Sequence, residues 1–87
     1  MYAVEYTGRA IKSLRPLDTS VRNRIYSAIE RIRIRPEDHL ERLTGSKYYK
    51  LRVGHYRVII DLQRERIVIM IIDVGHRKNV YKGFIGG

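Results

Sequence analysis

The chain has 87 residues, no cysteine, and 18 lysine and arginine residues against 9 aspartate and glutamate residues. This length allows one domain and excludes two, and the lack of cysteine excludes disulfides and zinc sites built on thiolates. A net charge of +9 on so small a body favours polyanionic partners such as RNA, DNA or an acidic protein segment. We expect one domain that spans residues 1–87.

The first third of the chain has the pattern of one strand followed by two helices. Tyr2–Tyr6 is typical of a short strand, and Thr7 is placed to cap a first helix that Pro16 limits. A second helix begins within Asp18–Ser20 and ends before Pro36. Its apolar stripe consists of Val21, Ile25, Ala28, Ile29 and Ile32.

After a polar connection, the rest of the chain has the pattern of an antiparallel sheet. Strands Tyr48–Val53 and Tyr56–Leu62 are joined by Gly54-His55, a two-residue turn with glycine first, as a type II′ hairpin requires. A third strand, Ile67–Val74, has the β-branched composition of a central strand. The order is β-α-α-β-β-β, which predicts an α+β fold with two N-terminal helices packed on one face of a mostly antiparallel sheet.

The sequence contains no segment that is expected to enter a membrane. Its N-terminus lacks the basic start and the apolar stretch of a secretory signal peptide. The longest apolar run, Ile67–Ile72, is far too short to cross a bilayer. The absence of cysteine also fits a reducing compartment, so we expect a cytoplasmic protein with no membrane partner.

Alternation along the predicted hairpin assigns its side chains to two faces, with Arg52 opposite Arg57. Arginines that face each other across two strands repel, so this pair beside Lys50 favours a phosphate-binding site, the alternative being a solvated sheet face. The expected core face consists of Tyr49, Leu51, Val53, Tyr56, Val58 and Ile60. The opposite face consists of Tyr48, Lys50, Arg52, Arg57, Ile59 and Asp61.

A second basic segment follows the third strand. Gly75-His76-Arg77-Lys78 is followed closely by Tyr81, and it reaches the same sheet face if the third strand neighbours the second. The three histidines of the chain lack the spacing of metal ligands. No nucleophile–histidine–carboxylate set and no phosphate-binding glycine loop is apparent, so we expect a site that uses neither a metal nor a cofactor.

Taken together, the segments Tyr49–Ile59, Asp73–Arg77 and Val80–Tyr81 resemble the RelE family of toxin–antitoxin systems. The resemblance extends over nearly the whole chain and includes the step Leu43–Gly45 before the hairpin. It implies a ribosome-dependent endoribonuclease that cuts mRNA without a metal, by attack of a 2′-hydroxyl on the adjacent phosphate. It also implies an antitoxin partner that wraps and masks the toxin, and the charge of the chain predicts that this antitoxin is acidic.

The resemblance also implies roles for individual residues. Lys50 matches a lysine with a general-base or electrostatic role, and Arg57 matches an arginine that binds phosphate. Arg77 matches an arginine that stabilises the leaving group, and Tyr81 matches a tyrosine that stacks on or orients the substrate. Preorganised cations stabilise the charge that accumulates on a phosphate during cleavage, which agrees with these roles. The supporting RNA-binding residues are Tyr48, Arg52, His76 and Lys78.

Two other functions remain open for this sequence. ParE-type relatives share the fold and poison DNA gyrase without needing a nuclease site. A non-catalytic or decayed nucleic-acid-binding protein fits the charge equally well. The presence of Arg57, Arg77 and Tyr81 favours the endoribonuclease over the gyrase inhibitor.

Overall fold

The N-terminal strand and both helices form where the apolar spacing predicts them. The computed structural model describes residues 1–83, with side chains as far as Tyr81, and the last four residues of the predicted domain, 84–87, lie outside the described residues. Within that range, no helix combines the length and the hydropathy needed to span a bilayer. The first three elements are β1 (Ala3–Tyr6), α1 (Gly8–Leu14) and α2 (Thr19–Arg31).

The strands form one five-stranded mixed sheet with the order β1-β5-β4-β3-β2. β1 runs parallel to β5, and the other neighbouring strands are antiparallel. The predicted α+β class, with two N-terminal helices and a mostly antiparallel sheet, is therefore confirmed. The later strands are β2 (Glu41–Arg42), β3 (Tyr49–Val53), β4 (Tyr56–Gln63) and β5 (Val68–His76). Two short 3₁₀ helices span Pro36–Asp38 and Val80–Gly83.

The connection between α2 and β3 is more ordered than a polar loop. It contains the first 3₁₀ helix and the strand β2, whose two residues pair with Tyr49 and Lys50 of β3. A strand of two residues is too short to show an alternating pattern, which is why the sequence does not reveal it. β2 therefore extends the sheet at the β3 edge, beside Lys50 of the predicted phosphate-binding face.

The third predicted strand has different limits in the structure. β5 begins at Val68, because Ile67 has φ 56, a left-handed conformation that turns the chain before the strand starts. At its other end β5 continues through Gly75 to His76, where it pairs with the beginning of β4. This extension places the basic residues after β5 beside the hairpin turn.

The main core lies between the helices and one face of the sheet. The stripe predicted for α2 is confirmed, since Ile25, Ala28, Ile29 and Ile32 are buried and Val21 is half-buried. These side chains pack against apolar residues of β3, β4 and β5. Burial of each large aliphatic side chain is worth roughly 1.5–3 kcal/mol, so this cluster is the main source of stability.

Polar contacts fix α1 to β5. The buried Asp73 carboxylate accepts hydrogen bonds from Arg9 Nε at 3.0 Å, from Ser13 Oγ at 2.6 Å and from the amide of Val74 at 2.8 Å. At the N-terminus of α1, the hydroxyl of Thr7 accepts a hydrogen bond from the amide of Ala10 and donates one to the carbonyl of Ile72. Thr7 therefore caps the helix, as predicted, and also ties it to the sheet.

Replacing Thr7 with valine removes both hydrogen bonds and keeps the shape of the side chain. We expect the free energy of unfolding to fall by about 1–2 kcal/mol, as for the loss of other helix caps. Urea denaturation monitored by circular dichroism measures this change. Thr44→Val is the matched control, because Thr44 is exposed, and its effect should stay within about 0.5 kcal/mol. Equal effects of the two substitutions would contradict the capping role.

Candidate functional site

The hairpin has the register that its turn predicts. Gly54 has φ +58, whereas His55 does not have a positive φ, which is the combination found in a type II′ turn. The side chains predicted for the core face do pack against the helices or border that core. The cross-strand partners are Val53 with Tyr56, Arg52 with Arg57, Leu51 with Val58, and Lys50 with Ile59.

The opposite face of the sheet, called the outer face below, carries the cationic residues. On it, Arg52 of β3 pairs with Arg57 of β4, and Arg57 pairs with Gly75 of β5. The outer face also holds a small second cluster of buried residues, called the outer cluster below, which consists of Leu43, Ile59 and Val80. The guanidinium groups of Arg52 and Arg57 therefore project from a packed sheet surface and not from a loop.

Gly75 allows the chain after β5 to fold back over the outer face. A Cβ at this position would lie 3.0 Å from Cβ of Val80 and 3.1 Å from its Cγ2, so only glycine lets Val80 approach so closely. Val80 and Tyr81 begin the second 3₁₀ helix, and Tyr81 packs against the outer cluster. The ring centroid of Tyr81 then lies 5.6 Å from Nζ of Lys50, within the range of a cation–π contact.

Lys50 lies between an aromatic ring and a carboxylate. In addition to Tyr81, it faces Glu41 of β2, with 3.9 Å between Lys50 Nζ and Glu41 Oε2. The Lys50 side chain is 31% exposed, so its ammonium remains accessible to a ligand. Glu41 was not among the predicted site residues, because the strand that carries it has no recognisable pattern in the sequence.

Arg57 is held in place through one of its guanidinium nitrogens. Nη1 donates hydrogen bonds to the carbonyls of Gly54 at 2.9 Å and Tyr56 at 2.8 Å. Among the residues that the structure describes, Nε and Nη2 of Arg57 have no hydrogen-bond partner. A guanidinium has five N–H donors, so Arg57 is oriented by the turn and still offers donors to an anion.

Lys50, Glu41 and Arg57 line a cavity of about 460 Å³ at the end of α2, called the basic cavity below. Its lining carries four side chains that are permanently positive at neutral pH and one carboxylate. The polar residues of the lining are Arg31, His39, Glu41, Lys50, Arg52 and Arg57, and the apolar ones are Ala28, Ile32 and Leu51. Arg31 and His39 come from elements outside the hairpin, and the hairpin pattern gave no sign of them.

The remaining predicted residues take different positions. Tyr48 packs on the outer cluster, whereas the ring of His76 contacts His55 and Tyr56, with centroid distances of 6.1 and 5.8 Å. Since Tyr56 borders the main core, His76 lies on the other side of the sheet from Lys50. Arg77 and Lys78 are exposed, and the amide of Arg77 donates to the carbonyl of His55 at 2.8 Å, beside the hairpin turn.

Comparisons with known proteins identify the family. The model of the family described as ParE toxin of type II toxin-antitoxin system, parDE, matches residues 4–81. The mRNA interferase toxin RelE of Escherichia coli is 28% identical over 80 residues, which cover 88% of this chain and 84% of that protein.

Solved structures of toxin–antitoxin complexes have the same fold. The intact E. coli RelBE complex contains a chain that matches with a TM-score of 0.73 and 28% identity, covering 87% of this chain and 96% of that one. The RelB-RelE complex of Methanococcus jannaschii matches with a TM-score of 0.70 and 25% identity, covering 93% and 99%. The resemblance to the RelE family that the hairpin and the Gly75–Tyr81 segment indicated is confirmed. The chain therefore belongs to the ParE toxin family of type II toxin–antitoxin systems, and it has the fold of the RelE toxins.

Proposed function

We propose that this toxin is an mRNA interferase that cleaves messenger RNA on the ribosome without a metal ion. The observation that carries the proposal is that Lys50, Arg52 and Arg57 line the basic cavity, with the ring centroid of Tyr81 5.6 Å from Nζ of Lys50. The named relative from E. coli, which is an mRNA interferase, supports the same conclusion.

In the proposed reaction, the 2′-hydroxyl of a nucleotide attacks the adjacent phosphorus. The O2′–P bond forms and the P–O5′ bond breaks, which leaves a 2′,3′-cyclic phosphate and a 5′-hydroxyl. Negative charge accumulates on the non-bridging oxygens, and the guanidinium of Arg57, oriented by the turn, donates hydrogen bonds to them. Arg52 adds a second positive charge across the strand pair.

Lys50 and Glu41 are assigned two further roles near the attacking 2′-hydroxyl, which are electrostatic stabilisation and proton acceptance. The ion pair between them requires Lys50 as an ammonium, so we assign Lys50 an electrostatic role. We assign to the carboxylate of Glu41, which lines the same cavity, the role of accepting the proton of the 2′-hydroxyl. Tyr81 stacks on a base of the substrate, and Arg77 stabilises the charge of the departing 5′-oxygen, which takes a proton from solvent water to become the 5′-hydroxyl. Tyr48 and Lys78 support RNA binding at the margins of the outer face.

We also propose that an acidic antitoxin binds this toxin and masks its cationic surface in the cytoplasm. The solved relatives from E. coli and M. jannaschii are complexes of RelE with RelB. The net charge of +9 and the basic cavity make an acidic partner complementary to this chain.

The test is a cleavage assay with ribosomes that carry a defined message, followed by mapping of the RNA ends. We expect cuts within the codon in the decoding site, and no cuts in a control without ribosomes. The absence of cuts, with folded protein and active ribosomes, would contradict the proposal. Since the matching family model is named for ParE, inhibition of DNA gyrase supercoiling is measured in parallel, and inhibition without RNA cleavage would establish the ParE-type function.

A further inference from the structure

We propose that a second groove, between α2 and the uncovered edge of β3, binds the sugar–phosphate backbone of RNA beyond the scissile phosphate. This α2–β3 groove has a volume of about 440 Å³. It is lined by Asn23, Arg24, Ser27, Ala28, Arg31, Arg52, Val53 and Gly54. The inference deepens the proposed function, because it assigns to the same substrate a binding path outside the reaction centre.

The groove exists because β2 covers only part of β3. The two residues of β2 pair with Tyr49 and Lys50, so β2 does not cover the edge of β3 from Leu51 to Val53. α2 lies beside this edge and forms the other wall. Ala28, Arg31 and Arg52 line both this groove and the basic cavity, so the two spaces are adjacent. An RNA strand bound at Arg57 would therefore need to extend only past these shared residues to reach the groove.

The charge of the groove is positive throughout its length. Arg24 and Arg31 are on α2, seven residues apart and therefore on nearly the same helix face, with an axial separation of about 10.5 Å. Arg52 faces them from β3. No aspartate or glutamate lines the groove, and no ion pair among residues 1–81 involves any of these three arginines. Positive charges gathered around one groove repel one another, and a bound phosphate backbone would relieve that repulsion.

Arg24 also connects the groove to the hairpin turn. The position of a Cβ on Gly54 would be 2.7 Å from Nη2 of Arg24, so the guanidinium lies directly against the glycine of the turn. The carbonyl of the same glycine accepts a hydrogen bond from Arg57. The turn thus holds one arginine of the groove and one arginine of the basic cavity in a fixed relation.

The chemistry of the lining favours RNA over a protein segment. Apart from its arginines, the groove presents small or polar residues, and its apolar side chains are only those of Ala28 and Val53. Protein partners usually anchor through large apolar or aromatic residues that fill a desolvated pocket. This groove has no apolar pocket that could bind such residues. Guanidinium groups with amide and hydroxyl neighbours instead match phosphate and ribose oxygens.

The test compares the variant Arg24→Gln with the control Arg15→Gln, because Arg24 lines the groove but not the basic cavity. The control removes the same charge directly after α1, which packs against β5. Glutamine has a helix propensity close to that of arginine, so both variants should fold, which circular dichroism verifies. Binding of a 2′-O-methyl RNA 12-mer, which cannot be cleaved, is measured by fluorescence anisotropy between 50 and 200 mM salt (roughly the range over which phosphate contacts lose strength).

For the groove variant, we expect the slope of log affinity against log salt to fall in magnitude by about 0.7, the value for one lost phosphate contact on a single strand. In the ribosome assay its KM should rise while kcat stays unchanged, since Arg24 does not line the basic cavity in which the reaction is placed. The control variant should change neither the slope nor the KM by as much.

Several outcomes decide the matter. Equal slopes for the groove and control variants would overturn the inference. It is also overturned if the groove variant binds the RNA normally but loses affinity for a polyglutamate peptide, because the groove would then belong to an acidic protein. If the wild type cleaves no RNA but the slope still falls as expected, the groove is supported and the proposed nuclease function fails.

Discussion

Alanine in place of Arg57 is expected to lower kcat for ribosome-dependent cleavage about 10²–10³-fold, the usual cost of removing one preorganised donor from a charged transition state. The stability of the fold should change by less than about 1 kcal/mol, because relief of the repulsion with Arg52 offsets the two hydrogen bonds lost at the turn. Single-turnover cleavage and urea denaturation measure the two quantities.

Arg66→Ala is the matched control for this prediction. Arg66 is also an arginine at a turn, but it lies at the other end of β4 and β5 and pairs with Glu5 at 3.5 Å. Its loss removes the same charge, so any general weakening of electrostatic attraction appears equally in both variants. A kcat for Arg57→Ala within tenfold of the control would remove Arg57 from the proposed site.

Valine in place of Gly75 is expected to abolish most of the activity by displacing Tyr81 from Lys50. The first carbon of the new side chain would already lie 3.0 Å from Val80, so the 3₁₀ helix that begins at Val80 must move off the outer face. Overpacking of this kind costs about 1–3 kcal/mol, and here it also exposes Ile59. Cleavage is measured at a temperature at which the variant remains folded.

Gly8→Ala provides the control for a glycine substitution. A Cβ at Gly8 meets no atom within 4 Å, so we expect stability that is unchanged or slightly raised, and full activity. If Gly75→Val retains both stability and activity, the close packing of Val80 on Gly75 does not position the site. If it loses stability but its folded fraction cleaves RNA normally, Tyr81 has no part in the reaction.

The hairpin illustrates what could be predicted from the sequence. A glycine followed by one residue between two β patterns determines the turn type, and the turn type sets the register, so the Arg52–Arg57 pair followed directly. Alternation then placed Lys50 on the same face. Both features are local in the chain, and local patterns are the ones that a single sequence reveals.

What the sequence did not reveal depends on contacts between distant residues. Glu41 and Arg31 join the basic cavity because β2 pairs with β3 and because α2 ends beside that edge, and neither fact has a local signal. His76 was grouped with Arg77 by proximity in the chain, but strand alternation sends its ring to the side of Tyr56. The change of strand register between Ile59 and Ile60 could not be predicted either, because no turn residue marks it in the sequence.

The parallel pairing of β1 with β5 determines when the proposed site can form during synthesis of this chain. β1 is synthesised well before its partner strand, and Thr7 and Ser13 find their partners 65 and 60 residues later. Such long closures are slow and must wait until β5 has been synthesised. The hairpin carrying Lys50 and Arg57 therefore emerges from the ribosome before β5 and Tyr81, so the contacts that complete the proposed site cannot form until those later residues have been made.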